Sequence, residues 1–251
     1  MASITPINSA DLEFDNGSWD AATFSARTLS NWQSLASVID HTVLKPDATH
    51  KQIESLCDEA IRYRFACAMV NPVWASTAVG LLSGTGVPVG VTIGFPLGAS
   101  LVSTLRQEAA ALARLGVREL DMVIPIGQLK SGNHHAVHLA VHAAATVAHH
   151  HGALLKVILE TCLLTVEEKL RASEIAIQAG ADFLKTSTGF STSGATAADV
   201  ALLRGVAGAR SGVKAAGGIR TLSDVRALLE AGANRIGASA SVAIVRELGA
   251  D

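Results

Sequence analysis

A short aliphatic run that follows a helical stretch and a glycine recurs along this chain, and this repeat limits the folds open to it. The glycine, with alanine or valine after it, stands at Gly116, Gly152, Gly180, Gly212 and Gly232. A glycine just past a helix suits the left-handed C-terminal cap, after which the chain can enter a strand. We therefore predict that each of these glycines ends a helix and leads into a strand.

Eight aliphatic runs can be identified, three of them without the full glycine signal. They are Val38–His41, Phe65–Val70, Val87–Ile93, Glu119–Ile124, Leu154–Glu160, Asp182–Thr186, Lys214–Ala216 and Arg235–Ala238. Helical periodicity between them is clearest at Leu101–Leu115, Val166–Ala179 and Leu222–Ala231. Eight such units predict a (β/α)8 TIM barrel over residues 36–251. A doubly wound sheet is the alternative, but its usual Gly-rich first βα turn is missing.

Residues 1–35 do not share the repeat, and we interpret them as an N-terminal extension. Their polarity is mixed and has no clear period, so we expect partial order, with a short helix near Thr28–Leu35. Trp19 and Trp32 are candidates to anchor the segment to the barrel, and a loose tail is the alternative.

Charge and cysteine content exclude several classes of protein. The chain has 20 Lys and Arg residues against 22 Asp and Glu, without the basic excess of a nucleic-acid binder. Because 49% of the 251 residues are apolar and only 17% are charged, disorder is excluded for most of the chain. Three cysteines without paired spacing predict a reduced, cytoplasmic protein. We expect neither a signal peptide nor a membrane span, since the first 26 residues lack Lys and Arg and no run reaches 18 apolar residues.

Charged residues stand inside runs that should be apolar. Of only seven lysines, Lys156, Lys185 and Lys214 fall in three consecutive predicted strands. Carboxylates that end or interrupt the runs are Asp40, Asp121 and Glu160. A structural ion-pair cluster of these six residues is one interpretation, because buried lysines are costly unless they are paired or functional.

Chemistry is the other interpretation, and we favour it for three adjacent strands together. Two neighbouring ammonium groups disfavour each other's charged form, so one of them loses its proton near neutral pH. The neutral amine can attack a carbonyl to form a Schiff base, while the other amine acts as a proton donor. Asp121 can position a water molecule or relay the proton. The pattern leaves open which lysine is the nucleophile.

Small residues at the ends of the last three predicted strands indicate a phosphate site. Gly217 and Gly218 follow the seventh strand, and a helix is expected to start near Thr221. Thr186 to Gly189 follow the sixth strand, and Gly237 to Ser239 close the eighth. Loops after strands 7 and 8 are the usual phosphate location in this fold, where backbone N–H groups and helix N-termini favour anions.

Seven of the nine histidines lie between positions 134 and 151. Spacing of four residues places His134, His138 and His142 on one helix face. No cysteine or paired carboxylate joins them, so we interpret this face as solvated rather than as a metal site.

Several stretches resemble the 2-deoxyribose-5-phosphate aldolase family over roughly residues 36–250. They are Ile39–Pro46 (IDHTVLKP), Val70–Pro72 (VNP), Glu119–Val123 (ELDMV), Leu155–Thr161 (LKVILET), Ala181–Phe190 (ADFLKTSTGF), Lys214–Thr221 (KAAGGIRT) and Arg235–Ser239 (RIGAS). The motifs around Lys185 and Lys214 are highly specific together.

The resemblance implies a metal-free, cofactor-free Schiff-base aldolase that cleaves deoxyribose 5-phosphate to glyceraldehyde 3-phosphate and acetaldehyde. Lys185 would form the Schiff base, Lys214 would lower its pKa, and Asp121 would move protons with a water molecule. Substrate contacts are expected from Asp40, Lys156, Thr186, Gly189, Gly217, Gly218, Gly237 and Ser239. Members of the family are often homodimers, so a homodimer acting on small aldehydes and phosphosugars is expected, without nucleic-acid or membrane partners.

Two positions depart from the family pattern. Many members carry a cysteine where this chain has Met69, and a thiol of that kind can trap an aldehyde product. Cys67 stands two residues earlier and is expected one pleat deeper on the same side of the strand. Some members have a second serine where this chain has Ala240, so one hydroxyl for the phosphate is missing.

Three other functions compete with this interpretation. A Schiff-base aldolase for another small sugar would use the same lysines. A phosphosugar isomerase on this fold would use a carboxylate or histidine base and would not need paired lysines. A catalytically inactive phosphosugar-binding regulator should have lost a lysine or the aspartate, yet Asp121, Lys185 and Lys214 are all present.

Overall fold

The eight predicted strands form a closed parallel barrel in the computed structural model, which describes residues 19–251. The strands are Ile39–Val43 (β1), Cys67–Val70 (β2), Val89–Ile93 (β3), Glu119–Val123 (β4), Leu154–Ile158 (β5), Phe183–Lys185 (β6), Gly212–Ala216 (β7) and Arg235–Ala238 (β8). Each strand pairs with the next in sequence order, and β1 closes the barrel against β8. The predicted (β/α)8 barrel is therefore confirmed.

Helices surround the barrel and alternate with its strands. Those described are Ala21–Thr28 (α1), Trp32–Ala36 (α2), His50–Tyr63 (α3), Ala75–Leu82 (α4), Val102–Leu115 (α5), Ile126–Lys130 (α6), His134–His150 (α7), Val166–Gln178 (α8), Ala197–Ala207 (α9), Leu222–Glu230 (α10) and Ser241–Arg246 (α11). Across residues 19–251, none of the helices combines the length and apolarity that crossing a membrane requires.

Strand periodicity separates an apolar layer from a charged one. Alternate residues such as Leu120, Leu184 and Ile236 belong to the main hydrophobic core between the sheet and the helices. The residues between them point into the barrel, because successive strand side chains face opposite sides. This inner face carries most of the charged residues of the strands, including Asp121 and Lys185, both buried. The fold therefore supplies an aliphatic shell around a polar interior.

Threonines start the helices that follow the lysine-bearing strands. Thr165, Thr196 and Thr221 are the N-cap residues of α8, α9 and α10, and each side chain accepts a hydrogen bond from a backbone N–H three residues later. Such caps satisfy helix N–H groups that have no partner within the helix. The ends of β5, β6 and β7 are thus followed by well-defined helix starts.

The glycine signal holds at most positions, and Gly212 is the exception. Gly116, Gly180 and Gly232 follow helices with φ values of 103°, 102° and 112°. The predicted helix end at Gly212 is wrong: α9 ends earlier, before Gly208 at φ 52°, and Gly212 begins β7. A Cβ at Gly212 would lie 2.2 Å from the Phe183 ring, so the glycine makes room for a side chain inside the barrel.

The N-terminal extension packs on the barrel through two helices. The short helix predicted near Thr28–Leu35 is present as α2, which begins at Trp32 after the Asn31 cap, and a further helix, α1, precedes it and ends at Thr28. Trp32 contacts the Tyr63 ring edge-on at 6.2 Å, and the Arg204 guanidinium lies 4.3 Å from the Trp19 ring centroid. Both tryptophans therefore contact the barrel domain, as predicted. Residues 1–18 of the extension, and the expected absence of a signal peptide there, lie outside the described residues.

Arg204 is expected to contribute strongly to stability from outside the barrel interior. Its buried guanidinium donates hydrogen bonds to the carbonyls of Gly232 and Gly208 at 2.8 Å and of Ser211 at 3.1 Å. Arg204→Met would leave these acceptors without their charged donor and should lower the free energy of unfolding by about 3 kcal/mol. Thermal denaturation should show the loss.

The matched control is Arg210→Met, at an exposed arginine just past the end of the same helix, whose side chain donates one hydrogen bond, to the Val206 carbonyl, within residues 19–251. This variant should change the free energy of unfolding by less than about 0.5 kcal/mol. Equal melting temperatures for the two variants would contradict the structural role given to Arg204.

Candidate active site

Three lysine amines and two aspartates meet inside the barrel. Lys185 Nζ from β6 lies 2.8 Å from Asp121 Oδ2, and Lys214 Nζ from β7 lies 2.7 Å from the same oxygen. Lys156 Nζ from β5 lies 2.9 Å from the other carboxylate oxygen, Oδ1. Asp40 Oδ2 on β1 contacts Lys214 and lies 3.3 Å from Lys156. One carboxylate, Asp121, therefore binds all three predicted lysines.

A second layer of charge lies beneath these groups. Glu119, two residues before Asp121 on β4, forms an ion pair with Lys156. Arg235 on β8 reaches both layers, with Nη1 at 2.8 Å from Asp40 Oδ1 and 3.2 Å from Glu119 Oε1. We call the whole group the barrel charge cluster: Asp40, Glu119, Asp121, Lys156, Lys185, Lys214 and Arg235. All seven side chains are buried.

Sequence reasoning identified five members of the cluster, included one residue wrongly and missed two. Glu160 does not join the cluster: it follows β5 in the left-handed region at φ 58°, and its carboxylate binds the backbone N–H and hydroxyl of Thr188. Glu119 and Arg235 take the place predicted for it. The signal was available, because both stand in predicted strands at even spacing from Asp121 and Gly237, on the inward face.

Burial and neighbouring charges shift the pKa values of Lys185 and Lys156 in opposite directions. Burial is the largest influence on Lys185 and, with Lys214 and Lys156 acting in the same direction against Asp121, lowers the pKa of Lys185 to about 8. Burial also opposes the charged form of Lys156, but Asp121, Asp40 and Glu119 outweigh it and hold the pKa of Lys156 well above its usual value. Lys185 is thus an amine that can lose its proton near neutral pH.

Asp121 is the counterpart of the three amines. Burial alone would raise the pKa of its carboxyl, but Lys156, Lys185 and Lys214 hold that pKa well below the usual range. The carboxylate is therefore ionised while all three neighbours are charged. Because sequence reasoning named only ammonium repulsion, it missed burial as the main cause of the lowered Lys185 pKa.

Loops after β6 and β7 bring the predicted phosphate residues together. Gly189, Gly217 and Gly218 have φ values of 86°, 88° and 79°, a region that favours glycine. A Cβ at Gly217 would lie 3.4 Å from the Gly189 Cα, so the two loops touch without side chains between them. The buried Ser187 hydroxyl beside them has no hydrogen-bond partner among residues 19–251. These loops can therefore present backbone N–H groups and one hydroxyl to a ligand.

The other predicted binding residues occupy different positions. The Thr186 hydroxyl bonds the Ala216 backbone at 3.2 Å and so joins β6 to β7. Gly237 faces Lys214, since a Cβ there would lie 2.9 Å from the Lys214 Cε. Ser239 is exposed just past β8, followed by Ala240 before α11. Of these three residues, Ser239 alone offers an exposed hydroxyl.

Cys67 and Met69 also point into the barrel, as their two-residue spacing predicts. A Cβ at Gly90 would lie 2.6 Å from the Cys67 Sγ and 2.5 Å from the Met69 Cε. The two side chains form a small apolar cluster with Leu44, against which Phe95 packs. Burial, reinforced by Glu119 and Asp40, raises the pKa of the Cys67 thiol well above its usual value. Cys67 therefore remains a protonated thiol near neutral pH.

The histidine-rich segment lies on α7, outside the barrel. His134, His135 and His142 are exposed, and the rings of His138 and His142 stack 5.7 Å apart. His149 Nε2 lies 2.9 Å from Asp182 Oδ2. The segment is thus a solvated helix face remote from the charge cluster.

Comparison with known proteins agrees with this geometry. A family model described as DeoC/LacD family aldolase matches residues 34–247. The deoxyribose-phosphate aldolase of Lysinibacillus sphaericus is 52% identical over 219 residues, which cover 87% of this chain and 98% of that protein. That of Listeria monocytogenes is 52% identical over 212 residues, covering 84% of this chain and 95% of its own.

A solved structure extends the comparison to three dimensions. The deoxyribose phosphate aldolase of Aeropyrum pernix, described as having a unique tetrameric structure, superimposes with a TM-score of 0.84 at 35% sequence identity. The match covers 91% of this chain and 96% of that chain. Together with the family model, which spans most of the sequence, these relatives establish that the chain belongs to the DeoC/LacD family of aldolases.

Proposed function

We propose that this chain is a deoxyribose-phosphate aldolase that cleaves 2-deoxy-D-ribose 5-phosphate reversibly to D-glyceraldehyde 3-phosphate and acetaldehyde. Its relatives from Lysinibacillus sphaericus and Listeria monocytogenes carry this name at 52% identity. The observation that carries the proposal is the buried Lys185 amine, whose pKa is lowered to about 8 beside Asp121 and Lys214.

Lys185 is the proposed nucleophile. Its neutral amine adds to the C1 aldehyde of the open-chain sugar, and loss of water from the carbinolamine gives a protonated imine. The imine then accepts the electron pair of the C2–C3 bond as the C3 hydroxyl loses its proton. Glyceraldehyde 3-phosphate leaves, and an enamine remains on Lys185.

Asp121 and Lys214 are the proposed proton carriers. Protonation of the enamine at C2 and hydrolysis of the resulting imine release acetaldehyde and restore the lysine. Asp121, with a water molecule, exchanges the C2 proton, and Lys214 shares its Oδ2 oxygen with Lys185 at 2.7 Å. While Lys185 is a neutral amine or carbinolamine, only Lys156 and Lys214 remain as cations paired with Asp121. The carboxylate can then take up a proton more readily.

The phosphate is proposed to bind where the loops after β6, β7 and β8 converge. Gly189, Gly217 and Gly218 supply backbone N–H groups, and Ser239 supplies a hydroxyl. Thr186 and Gly237 shape this end of the barrel, the former by bonding Ala216. Asp40 and Lys156 are fully buried, and we propose that they act on the substrate through Lys214 and Asp121.

We further propose that residues 36–251 form the catalytic domain and residues 1–35 an extension. A cytoplasmic setting is supported by Cys57, Cys67 and Cys162, which are all free thiols. A homodimer is supported by the exposed apolar residues Leu97 and Leu101 after β3, which are 73% and 74% exposed. Light scattering after size exclusion would give the oligomeric state.

Trapping with borohydride tests the proposed function directly. The protein is incubated with acetaldehyde, reduced, digested and analysed by peptide mass spectrometry. A two-carbon addition on Lys185 is expected, with the exposed Lys51 of α3 as the internal control for unspecific labelling. Absence of any addition on Lys185 would refute the Schiff-base mechanism and leave a phosphosugar isomerase as the competing function. Turnover of deoxyribose 5-phosphate against its unphosphorylated analogue then separates this aldolase from one for another sugar.

This enzyme is expected to tolerate acetaldehyde, because Met69 stands where many members of the family carry a cysteine and the nearest thiol, two residues earlier, is that of Cys67. Because the Cys67 thiol is fully buried and protonated, it should react too slowly to trap the aldehyde. Activity should therefore persist for hours in concentrated acetaldehyde, whereas Met69→Cys, nearer the mouth of the barrel, should shorten the half-life by about tenfold. Cys162→Ser controls for the more exposed thiol. Rapid inactivation of the unmodified protein with an adduct on Cys67 would disprove this expectation.

A further inference from the structure

Glu119 and Arg235 have no direct part in the proposed reaction, yet they hold the groups that do. Arg235 Nη1 lies 2.8 Å from Asp40 Oδ1, which leaves the Oδ2 oxygen of Asp40 for Lys214. Glu119 pairs with both Lys156 and Arg235. Neither residue is exposed by more than 7%. Their charges therefore act on the cluster in a medium that screens them weakly.

The barrel charge cluster has one more cation than anions when every member is ionised. Lys156, Lys185, Lys214 and Arg235 oppose Asp40, Glu119 and Asp121. A buried surplus charge is unfavourable, so the cluster is most stable when one cation gives up its proton. An arginine does not do so in proteins, which leaves the three lysines.

The number of carboxylates around each lysine decides which of the three lysines gives up its proton. Lys156 pairs with three carboxylates, and Lys214 pairs with Asp40 and Asp121. Among residues 19–251, Lys185 pairs with Asp121 alone. The surplus proton is therefore held most weakly by Lys185, which is also the amine proposed to form the Schiff base.

We propose that Glu119 and Arg235 are positioning residues that set the charge balance of the cluster and so make Lys185 the neutral, nucleophilic amine. Arg235 is the fourth cation, and with it the positive charges outnumber the negative ones by one. Without the negative charge of Glu119, they would outnumber them by two. This inference rests on the proposed function, because it assigns a role in preparing the same lysine.

All charged groups that face Lys185 enter this balance. Asp121 on β4, Lys156 on β5 and Lys214 on β7 surround it directly, and Asp40, Glu119 and Arg235 lie behind them. Cys67 on β2 contributes no charge near neutral pH, because burial and the nearby carboxylates raise its pKa. Only the six charged neighbours therefore need to be counted.

Opposite changes in the pH profile test the inference. Arg235→Met removes the surplus positive charge, so Lys185 should keep its proton to higher pH. In the unmodified protein, kcat/KM should rise with pH around pH 8 as Lys185 loses its proton, and we call this rise the limb of the profile. In Arg235→Met the limb should move by about one pH unit in the alkaline direction, so that kcat/KM at pH 6, relative to its plateau, falls about tenfold. Glu119→Gln removes a negative charge at nearly constant shape, and its limb should move in the acid direction.

Two further variants separate charge from structure. Arg235→Lys keeps the positive charge and should restore the position of the limb even where kcat is reduced. Glu119→Gln combined with Arg235→Met restores the original surplus of one and should return the limb to near pH 8. Where Arg235→Met does not fold, the Glu119→Gln and Arg235→Lys profiles still decide, since only the first of them should shift.

Limbs that stay in place, or that move in the same direction in Arg235→Met and Glu119→Gln, would overturn the proposed charge balance. Borohydride trapping on the unmodified protein distinguishes this failure from that of the proposed function. If trapping labels Lys185 but the limb does not move in the variants, only the role of Glu119 and Arg235 is refuted. If trapping does not label Lys185, the Schiff-base mechanism itself is refuted.

Discussion

Replacing Lys185 with alanine is expected to lower kcat for cleavage of deoxyribose 5-phosphate by at least about 10⁵-fold, because the covalent route is lost with the amine. Neither neighbouring lysine can take its place. Lys156 pairs with Asp40, Glu119 and Asp121, which outweigh burial and hold its pKa well above the usual value. Lys214 pairs with two carboxylates, those of Asp40 and Asp121, which favour its charged form. Steady-state turnover and borohydride trapping should disappear together.

The fold should survive this change. Lys185→Met, which keeps most of the side-chain volume, removes the surplus cation of the charge cluster and should melt no lower than the unmodified protein. Lys51→Ala, at an exposed lysine of α3, is the matched control and should retain full activity. Turnover within tenfold of the unmodified protein in Lys185→Ala, once a clean preparation is verified by mass spectrometry, would show that the nucleophile lies elsewhere.

The choice between the lysines marks the limit of prediction from the sequence. Strand periodicity places Lys156, Lys185 and Lys214 inside the barrel, and the spacing of the runs predicts which strands are neighbours. Their different pairing with carboxylates depends on the stagger of the barrel, which sets Lys156 beside Asp121 and Lys185 beside Lys214. Register of this kind is absent from a residue pattern, so the pattern alone leaves the nucleophile open among the three lysines.

Two incorrect expectations have the same origin. Gly212 fits a helix cap in the sequence, but the cap is Gly208, and Gly212 is needed where the Phe183 ring crosses the barrel interior. Glu160 fits the end of a strand, but β5 stops at Ile158, and the backbone turns into the left-handed region before Glu160 can face the lysines. Both depend on contacts between distant segments, whereas the strand and helix pattern depends on local periodicity and was predictable.

Asp121→Asn is expected to lower kcat by about 10³-fold while leaving imine formation on Lys185 less affected. The amide carries no charge, so the surplus of the cluster grows and Lys185 remains a neutral amine, able to attack the aldehyde. Proton exchange at C2 is what should fail, because the carboxylate that binds both Lys185 and Lys214 through Oδ2 is gone. Acetaldehyde incubated with the variant in deuterated water should therefore take up deuterium at its methyl group about 10³-fold more slowly, by proton nuclear magnetic resonance.

Asp40→Asn supplies the matched control for this result. It also removes a buried carboxylate that binds Lys214 and Lys156, but the Asp40 side chain makes no ion pair with Lys185 within residues 19–251. Both variants should therefore lose stability, since each leaves Lys156 and Lys214 with one carboxylate fewer in a buried site. Only in Asp121→Asn should the rate of deuterium exchange fall by a much larger factor than borohydride trapping on Lys185. If exchange and trapping fall by the same factor in both variants, then Asp121 acts through the charge of the cluster alone, and the proton at C2 must be carried by Lys214 or by water.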